Sequence, residues 1–186
     1  MSKTTIPTAG LADTAVTTAK ITDANITTAK IADDAVTSAK ATGFGKILSI
    51  NTAQVTDSTT GTNTSYAEHD TDLRVSVTPQ STSSKFLITY QTKSRQTATS
   101  RFTSVRIYKS VDGGSFAGIE HDNHAFTGFN VSISDSHIPL IARVIHAPST
   151  TSALIFTPYV SVNSGDWELG SRAAQHQTNM VVTEYE

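Results

Sequence analysis

Six histidines are the side chains of this sequence whose type and grouping invite catalytic or metal chemistry: His69, His121, His124, His137, His146 and His176. Imidazole changes charge nearest neutral pH and is the commonest nitrogen ligand of transition metals. The densest group is Glu120-His-Asp-Asn-His124. Two histidines three apart, flanked by carboxylates, can ligate a metal ion, above all where several copies meet on an axis. That spacing matches no known zinc framework, and it follows a hairpin signal. His121 and His124 are therefore metal candidates set against a solvated or partner-facing polar loop, and no cofactor is expected. His137 and His146 flank an expected strand and read as edge or surface residues.

No other motif carries reaction chemistry. The sequence contains no Gly-x-Ser-x-Gly elbow and no phosphate-cradling glycine loop, and Asp112-Gly-Gly-Ser115 lies between two β-like runs, where it reads as a turn. There are no cysteines, which removes thiolate catalysis, disulfides and sulfur-rich zinc sites together. The expectation is a protein that is not an enzyme. Aromatic side chains at loop edges are the remaining candidates: Tyr66, Phe116, Phe126, Phe129, Tyr159 and Trp167. Rings at a rim suit stacking on sugars and amphipathic contact; the alternative is that they plug the ends of the fold. Trp167, Tyr66 and Phe129 are the expected contacts for a surface glycan or protein.

The elements that must position these residues are strands. From Lys46 the chain is rich in β-branched and aromatic residues, with frequent Ser, Thr, Asn and Gly breaks. Lys46–Thr52 reads as a strand and Thr56–Ser65 as a polar loop. Leu73-Arg-Val-Ser-Val-Thr-Pro79 alternates, with Leu73, Val75 and Val77 inward and Pro79 as the stop. Lys85–Gln91 is apolar enough for a central strand. Phe102–Lys109 places Val105 and Ile107 on one face and Phe102 and Tyr108 on the other. It leads through Asp112-Gly-Gly114, a hairpin signal, into a return strand over Ser115–Glu120. Phe126–Ile133, Pro139–Ala147, Ala153–Val162 and Asn179–Tyr185 complete the set. Eight or nine short strands with no convincing helix predict an antiparallel β-sandwich, jelly-roll-like, over residues 46–186.

Ahead of it stand three consecutive copies of a ten-residue unit: Leu11–Lys20, Ile21–Lys30 and Ile31–Lys40. Each begins with Leu or Ile, has Asp third and Val or Ile sixth, and closes on Thr-(Thr/Ser)-Ala-Lys. The large apolar residues Leu11, Val16, Ile21, Ile26, Ile31 and Val36 fall five apart. On an α-helix a step of five turns about 140°, and on a strand an odd step changes face, so neither element gives one buried stripe. A mixed unit is expected: a short helical turn with Thr17, Thr27 and Thr37 as N-caps, then an extended piece in which Asp13, Asp23 and Asp33 bond local backbone. One copy buries roughly 3–5 kcal/mol of apolar surface, less than the entropy lost in ordering its backbone. The repeat is thus either a flexible linker or an oligomeric stalk wound about a shared axis, and the stalk is the reading preferred here. Ala41-Thr-Gly-Phe-Gly45 reads as a joint, and residues 1–10 as a docking tail or a frayed end.

The expected fold class is therefore mainly β, an antiparallel sandwich preceded by a repetitive wound stalk of short helical turns. Its divisions are 1–10, 11–40, 41–45 and 46–186. Net charge is −2 and balanced locally, with four Lys against four Asp in the first 45 residues, so nucleic-acid binding is not expected. No apolar run has the length of a membrane span and the start has no signal-peptide core, so a soluble product made in the cytosol, without membrane insertion, is expected.

The decapeptide array resembles those of bacteriophage fibre proteins, especially of marine phages and cyanophages. The C-terminal part resembles a recurrent fibre-tip module, through Gly45-Lys-Ile-Leu48, Leu73-Arg-Val-Ser-Val-Thr-Pro-Gln-Ser-Thr-Ser-Ser-Lys-Phe-Leu-Ile88, and Gly170-Ser-Arg-Ala-Ala174 before Met180-Val-Val-Thr-Glu184. The resemblance implies a homotrimer exposed on the virion as a tail or head fibre. Its N-terminus, through Thr4, Thr5, Ile6 and Pro7, would hold other virion proteins, and its β domain would be outermost for host attachment. The family has no shared catalytic motif to carry over, and this chain lacks the large adaptor domain of long tail fibres, which favours a short appendage. The rival expectations are a capsid decoration fibre without receptor, an enzyme acting on surface polysaccharide, and a monomer with a disordered leader.

Overall fold

The computed structural model describes Thr17, Ile21, Ile26, Thr27, Ile31 and residues 46–96, 102–119, 126–127, 136–170 and 177–186. The chain divides into two units, Met1–Phe44 and Gly45–Glu186. In the first, Ile21, Ile26 and Ile31 are 40%, 55% and 39% exposed. A single chain therefore leaves these repeat positions in water, as expected of a unit with two sizeable apolar residues per ten. Leu11, Val16 and Val36, the helical turns expected of the repeats, and the joint at 41–45 lie outside the described residues.

The second unit is built from two antiparallel sheets. Sheet 1 contains β1 (Ile47–Val55), β2 (Thr59–Gly61), β5 (Lys85–Gln96), β9 (Ser136–His146), β11 (Trp167–Leu169) and β12 (Thr178–Tyr185). β5 lies at its centre: β9 pairs along one side, while β12 and β11 follow one another along the other and pair in turn with β1 and β2. Sheet 2 contains β3 (Ala67–Glu68), β4 (Val75–Val77), β6 (Thr103–Val111), β7 (Ala117–Gly118), β8 (Phe126–Thr127) and β10 (Leu154–Val162). Here β10 and β6 are the inner pair, flanked by β3 and β4 on one side and β7 and β8 on the other.

Period-two alternation supplies the core. Phe86, Ile88 and Tyr90 of β5 and Met180 and Val182 of β12 point inward from sheet 1, while Val105 and Ile107 of β6 and Leu154, Phe156 and Val160 of β10 point inward from sheet 2. All belong to one buried cluster, and Phe86 meets Phe156 with ring centroids 5.6 Å apart. Leu73, Val75 and Val77 are buried as their alternation predicts, although Leu73 closes a single 3-10 turn (Thr71–Leu73) capped by the Asp70 carboxylate. The hairpin after β6 has Asp112 and Gly113 at φ +48° and +73°, with Gly114 N–H donating to Val111 O at 2.9 Å. Two successive left-handed residues match the right-handed twist of the strands they join.

Three expectations are corrected. The polar stretch Thr56–Ser65 contains strand β2, because its threonines pair with β11. β5 runs five residues beyond Gln91: Thr92 and Ser94 continue the inward row as buried hydroxyls, bonded to Thr178 at 2.7 Å and Thr103 at 3.3 Å. The return strand after the hairpin is only Ala117–Gly118. Of Phe126–Ile133, Phe126–Thr127 is strand and residues 128–133 lie outside the described residues.

Candidate functional site

The outward face of sheet 2 gathers four aromatic rings. The alternation that buries Val105 and Ile107 turns Arg106 and Tyr108 outward, and the one that buries Phe156 and Val160 turns Tyr159 outward, with Thr157 on the same face but buried. Register places Tyr159 opposite Arg106 on one side and Glu68 on the other, with Thr157 opposite Tyr108. Tyr108 and Tyr159 are therefore diagonal neighbours, the relation in which long side chains meet across a sheet. Their rings stack at 3.9 Å with 16° between planes. Phe116, arriving from the hairpin, lies 6.0 Å from Tyr159, and Tyr66, just before β3, lies 6.5 Å from Tyr108.

Charged groups frame the rings. The Arg106 guanidinium lies 4.4 Å over Tyr66 and that of Arg74 lies 5.1 Å from the centre of Phe116. Arg74 donates through Nε and Nη2 to the two Glu68 oxygens at 2.7 and 2.6 Å, and Thr157 Oγ1 donates to the same carboxylate at 2.8 Å. Partial burial would raise Glu68, but these hydrogen bonds and the Arg74 charge outweigh it and hold the carboxyl below its ordinary value. Burial and the Glu68 charge together push the Tyr159 phenol up. The result is a half-buried platform of ring faces and edges, phenols, guanidinium and carboxylate. Such a surface can hold a polyol by stacking its C–H faces and bonding its hydroxyls.

Sequence reasoning named Tyr66, Phe116 and Tyr159 in this cluster but missed Tyr108, Arg74, Arg106 and Glu68. Parity with Val105 and Ile107 already placed Tyr108 and Arg106 on one face; the cross-strand register that unites them has no local sequence signal. Trp167 is not at a rim. It is 4% exposed, donates from Nε1 to Asn63 Oδ1 at 3.0 Å, and packs edge-on to His69. Little of the ring is left for contact, although its edge lines a shallow surface depression with Thr60, Gly61 and Arg95. Phe129 lies outside the described residues.

Among the described residues the histidines do not assemble into one centre. His69 is buried, with Nδ1 2.9 Å from the Tyr90 hydroxyl. His146 is half-buried, its Nε2 2.9 Å from Lys109 Nζ, so the imidazole accepts from an ammonium group. Burial and the Lys109 charge push His146 down to about 4. His137 lies in β9, while His121, His124 and His176 lie outside the described residues. Among the described residues no group of His, Cys, Asp or Glu could hold a metal ion, and no helix is long and apolar enough to cross a membrane.

No protein-family model matches the chain, and no curated protein matches it. Among solved structures the chain is similar to Eiger TNF from S. frugiperda, at 8% identity and TM-score 0.46, over 73% of this chain and 92% of that one. It is similar to infectious bursal disease virus, Gx strain, at 6% identity and TM-score 0.45, over 74% of this chain and 32% of that one. It is also similar to the enzymatically active domain of tailspike protein 4 of bacteriophage CBA120, at 12% identity and TM-score 0.25, over 67% of this chain and 19% of that one. The chain thus spans about a third of the bursal disease virus chain and a fifth of the tailspike chain. Likenesses this loose carry no argument about function.

Proposed function

We propose that this chain is a structural virion protein of a bacteriophage: a homotrimeric fibre, fixed to the particle through Thr4, Thr5, Ile6 and Pro7, presenting residues 46–186 for attachment to a host surface. The observation that carries this reading is the decapeptide array with three of its six apolar positions seen in water. Ile21, Ile26 and Ile31 are exposed in the single chain, and a repeat of this composition gains an interior only when copies wind together.

The β unit supports the same reading. Its inner order, β1-β12-β5-β9 facing β4-β10-β6-β8, follows the two four-stranded sheets of a jelly roll, with first and last strands adjacent. A compact two-sheet head is a rigid carrier for a contact surface, and the platform of Tyr66, Tyr108, Phe116 and Tyr159 suits a host glycan. Individual contacts of this kind are weak. Three heads on one stalk, and many stalks on one particle, multiply them by raising effective concentration. The role is adhesion without turnover.

Light scattering on the full chain tests the assembly: a mass three times 19.8 kDa is expected, and a mass of one chain overturns the fibre. Adsorption of the purified protein to host cells tests the role. Tyr108→Ala with Tyr159→Ala is expected to reduce it at least tenfold with the fold retained. Unchanged adsorption of the double variant would move the contact away from these rings, a parent protein that does not adsorb would make a decoration fibre the better description, and oligosaccharide released from host glycans would replace adhesion with hydrolysis.

A further inference from the structure

The large apolar side chains that the β unit exposes are concentrated. Among the described residues of this unit, six are exposed, and four of them sit on the outward face of sheet 1: Ile47 and Ile50 on β1, each 60% exposed, and Ile141 and Ile145 on β9, 52% and 65% exposed. Register joins them. Ile145 pairs with Leu87, Leu87 with Thr183 and Thr183 with Ile50, a continuous row across four strands, and Tyr185 lies beside Ile47 in the next row. A shallow depression of about 250 Å³, lined by Thr52, Gln54, Thr89, Gln91, Asn179 and Val181, separates this row from Ile141. Of the outward cations, Lys85 stands at one end of β5, Lys93 and Arg95 towards the other, and only Arg143 is central. An antiparallel sheet with one solvated face normally turns polar residues to water. An isoleucine-bearing face with a single central arginine has the composition of a contact surface.

We infer that this outward face of sheet 1 is where the β units of three copies of the chain pack against one another. The inference rests on the trimeric reading above and adds the surface. The occupant follows from chain connectivity. Only residues 41–46 separate the last repeat, ending at Lys40, from Ile47, the first residue of β1. Seven links span at most about 25 Å, so winding the repeats of three chains brings three β1 strands within that reach of one axis. β1 carries Ile47 and Ile50. Copies so tethered meet at millimolar effective concentration, where even a modest apolar face associates. β1 and β9 each have one unpaired edge among the described residues, and a neighbouring copy over this face would also cover edges that otherwise invite uncontrolled pairing.

The absence of cysteine gives the test a clean background. Full-length variants Ile50→Cys and Ile145→Cys are labelled with a maleimide under native conditions, beside Val111→Cys, an exposed position on sheet 2. Light scattering is run on each. The expected result is a three-chain mass with both face cysteines labelled at least tenfold more slowly than Val111→Cys. A three-chain mass with either face cysteine labelled as fast as Val111→Cys overturns this interface and leaves the trimer standing. A one-chain mass overturns both. Adding Ile145→Glu to Ile50→Cys is expected to restore fast labelling while far-UV circular dichroism stays unchanged, and continued slow labelling in that double variant counts against the interface.

Discussion

The Tyr90 hydroxyl and His69 Nδ1 share a hydrogen bond of 2.9 Å inside the β unit, their rings crossing at 89°. Both residues are buried, and the other imidazole nitrogen, Nε2, has no hydrogen-bond partner in the protein. A neutral ring tolerates that position far better than an imidazolium does. Burial, opposed only in part by the Asp70 charge, pushes His69 down to about 4.

The β unit should therefore lose stability in mild acid. A histidine whose folded value lies below its unfolded value of 6.5 binds its proton first in the unfolded chain, so stability is complete above about 6.5 and falls as pH drops towards about 4. The loss from His69 is on the order of 3 kcal/mol, and His146 acts in the same direction. Urea midpoints at pH 7 and pH 4.5 measure it. His69→Phe should shrink the difference between them, and an unchanged difference would refute the assignment.

Glu184 should behave as a buried clamp. Its carboxylate accepts from Gln80 N–H and Ser84 Oγ at 2.7 Å each and from Ser49 Oγ at 3.1 Å, so it ties β12 to β1 and to the turn before β5. Glu184→Ala strands three donors and should cost about 3 kcal/mol, with Glu184→Gln recovering part of it, as read by thermal melts.

Gly61 should not accept a side chain. A Cβ there would lie 2.5 Å from Cζ2 of the Trp167 ring, which Asn63 already fixes. Gly61→Ala is expected to destabilise by about 1–3 kcal/mol. Trp167 is the single tryptophan, so its emission should shift to the red as the ring is displaced towards water.

The repeats and the β unit should respond separately. Ile21→Asp with Ile31→Asp places carboxylates where the proposed wound array would need apolar groups, and association should weaken at least tenfold by dilution-dependent light scattering. The far-UV circular dichroism of the strands is expected to be retained in the full-length double variant. Equal amide protection in the mutant and parent repeats would show that these positions do not face inward.

The strands were legible where alternation was strict. Leu73, Val75 and Val77 announced their inward face, and Asp112-Gly113 announced the turn. Sequence failed where a residue's environment comes from far along the chain. Trp167, beside Gly165-Asp166, looked like a rim aromatic, yet Gly61 and Asn63, about a hundred positions earlier, form its socket. Thr92 and Ser94 read as the end of a strand because their hydroxyl partners, Thr178 and Thr103, are non-local. The aromatic platform was half visible for the same reason. Tyr66 and Tyr159 could be chosen as rings near loops, but the stacking of Tyr159 on Tyr108 depends on a β6–β10 register that neither strand encodes alone.

The pairing of β1 with β12 has a consequence for manufacture. β12 lies between β1 and β5, and Glu184 and Ser49, bonded to each other, are 135 positions apart. β1 waits for β12, and until that strand arrives the middle of its sheet is missing. Every nascent copy spends its synthesis with an open slot of sheet width, which any sister chain's final strand could enter. In the trimer proposed above, each polypeptide would have to close upon its own β12 before the repeats drew its neighbours together.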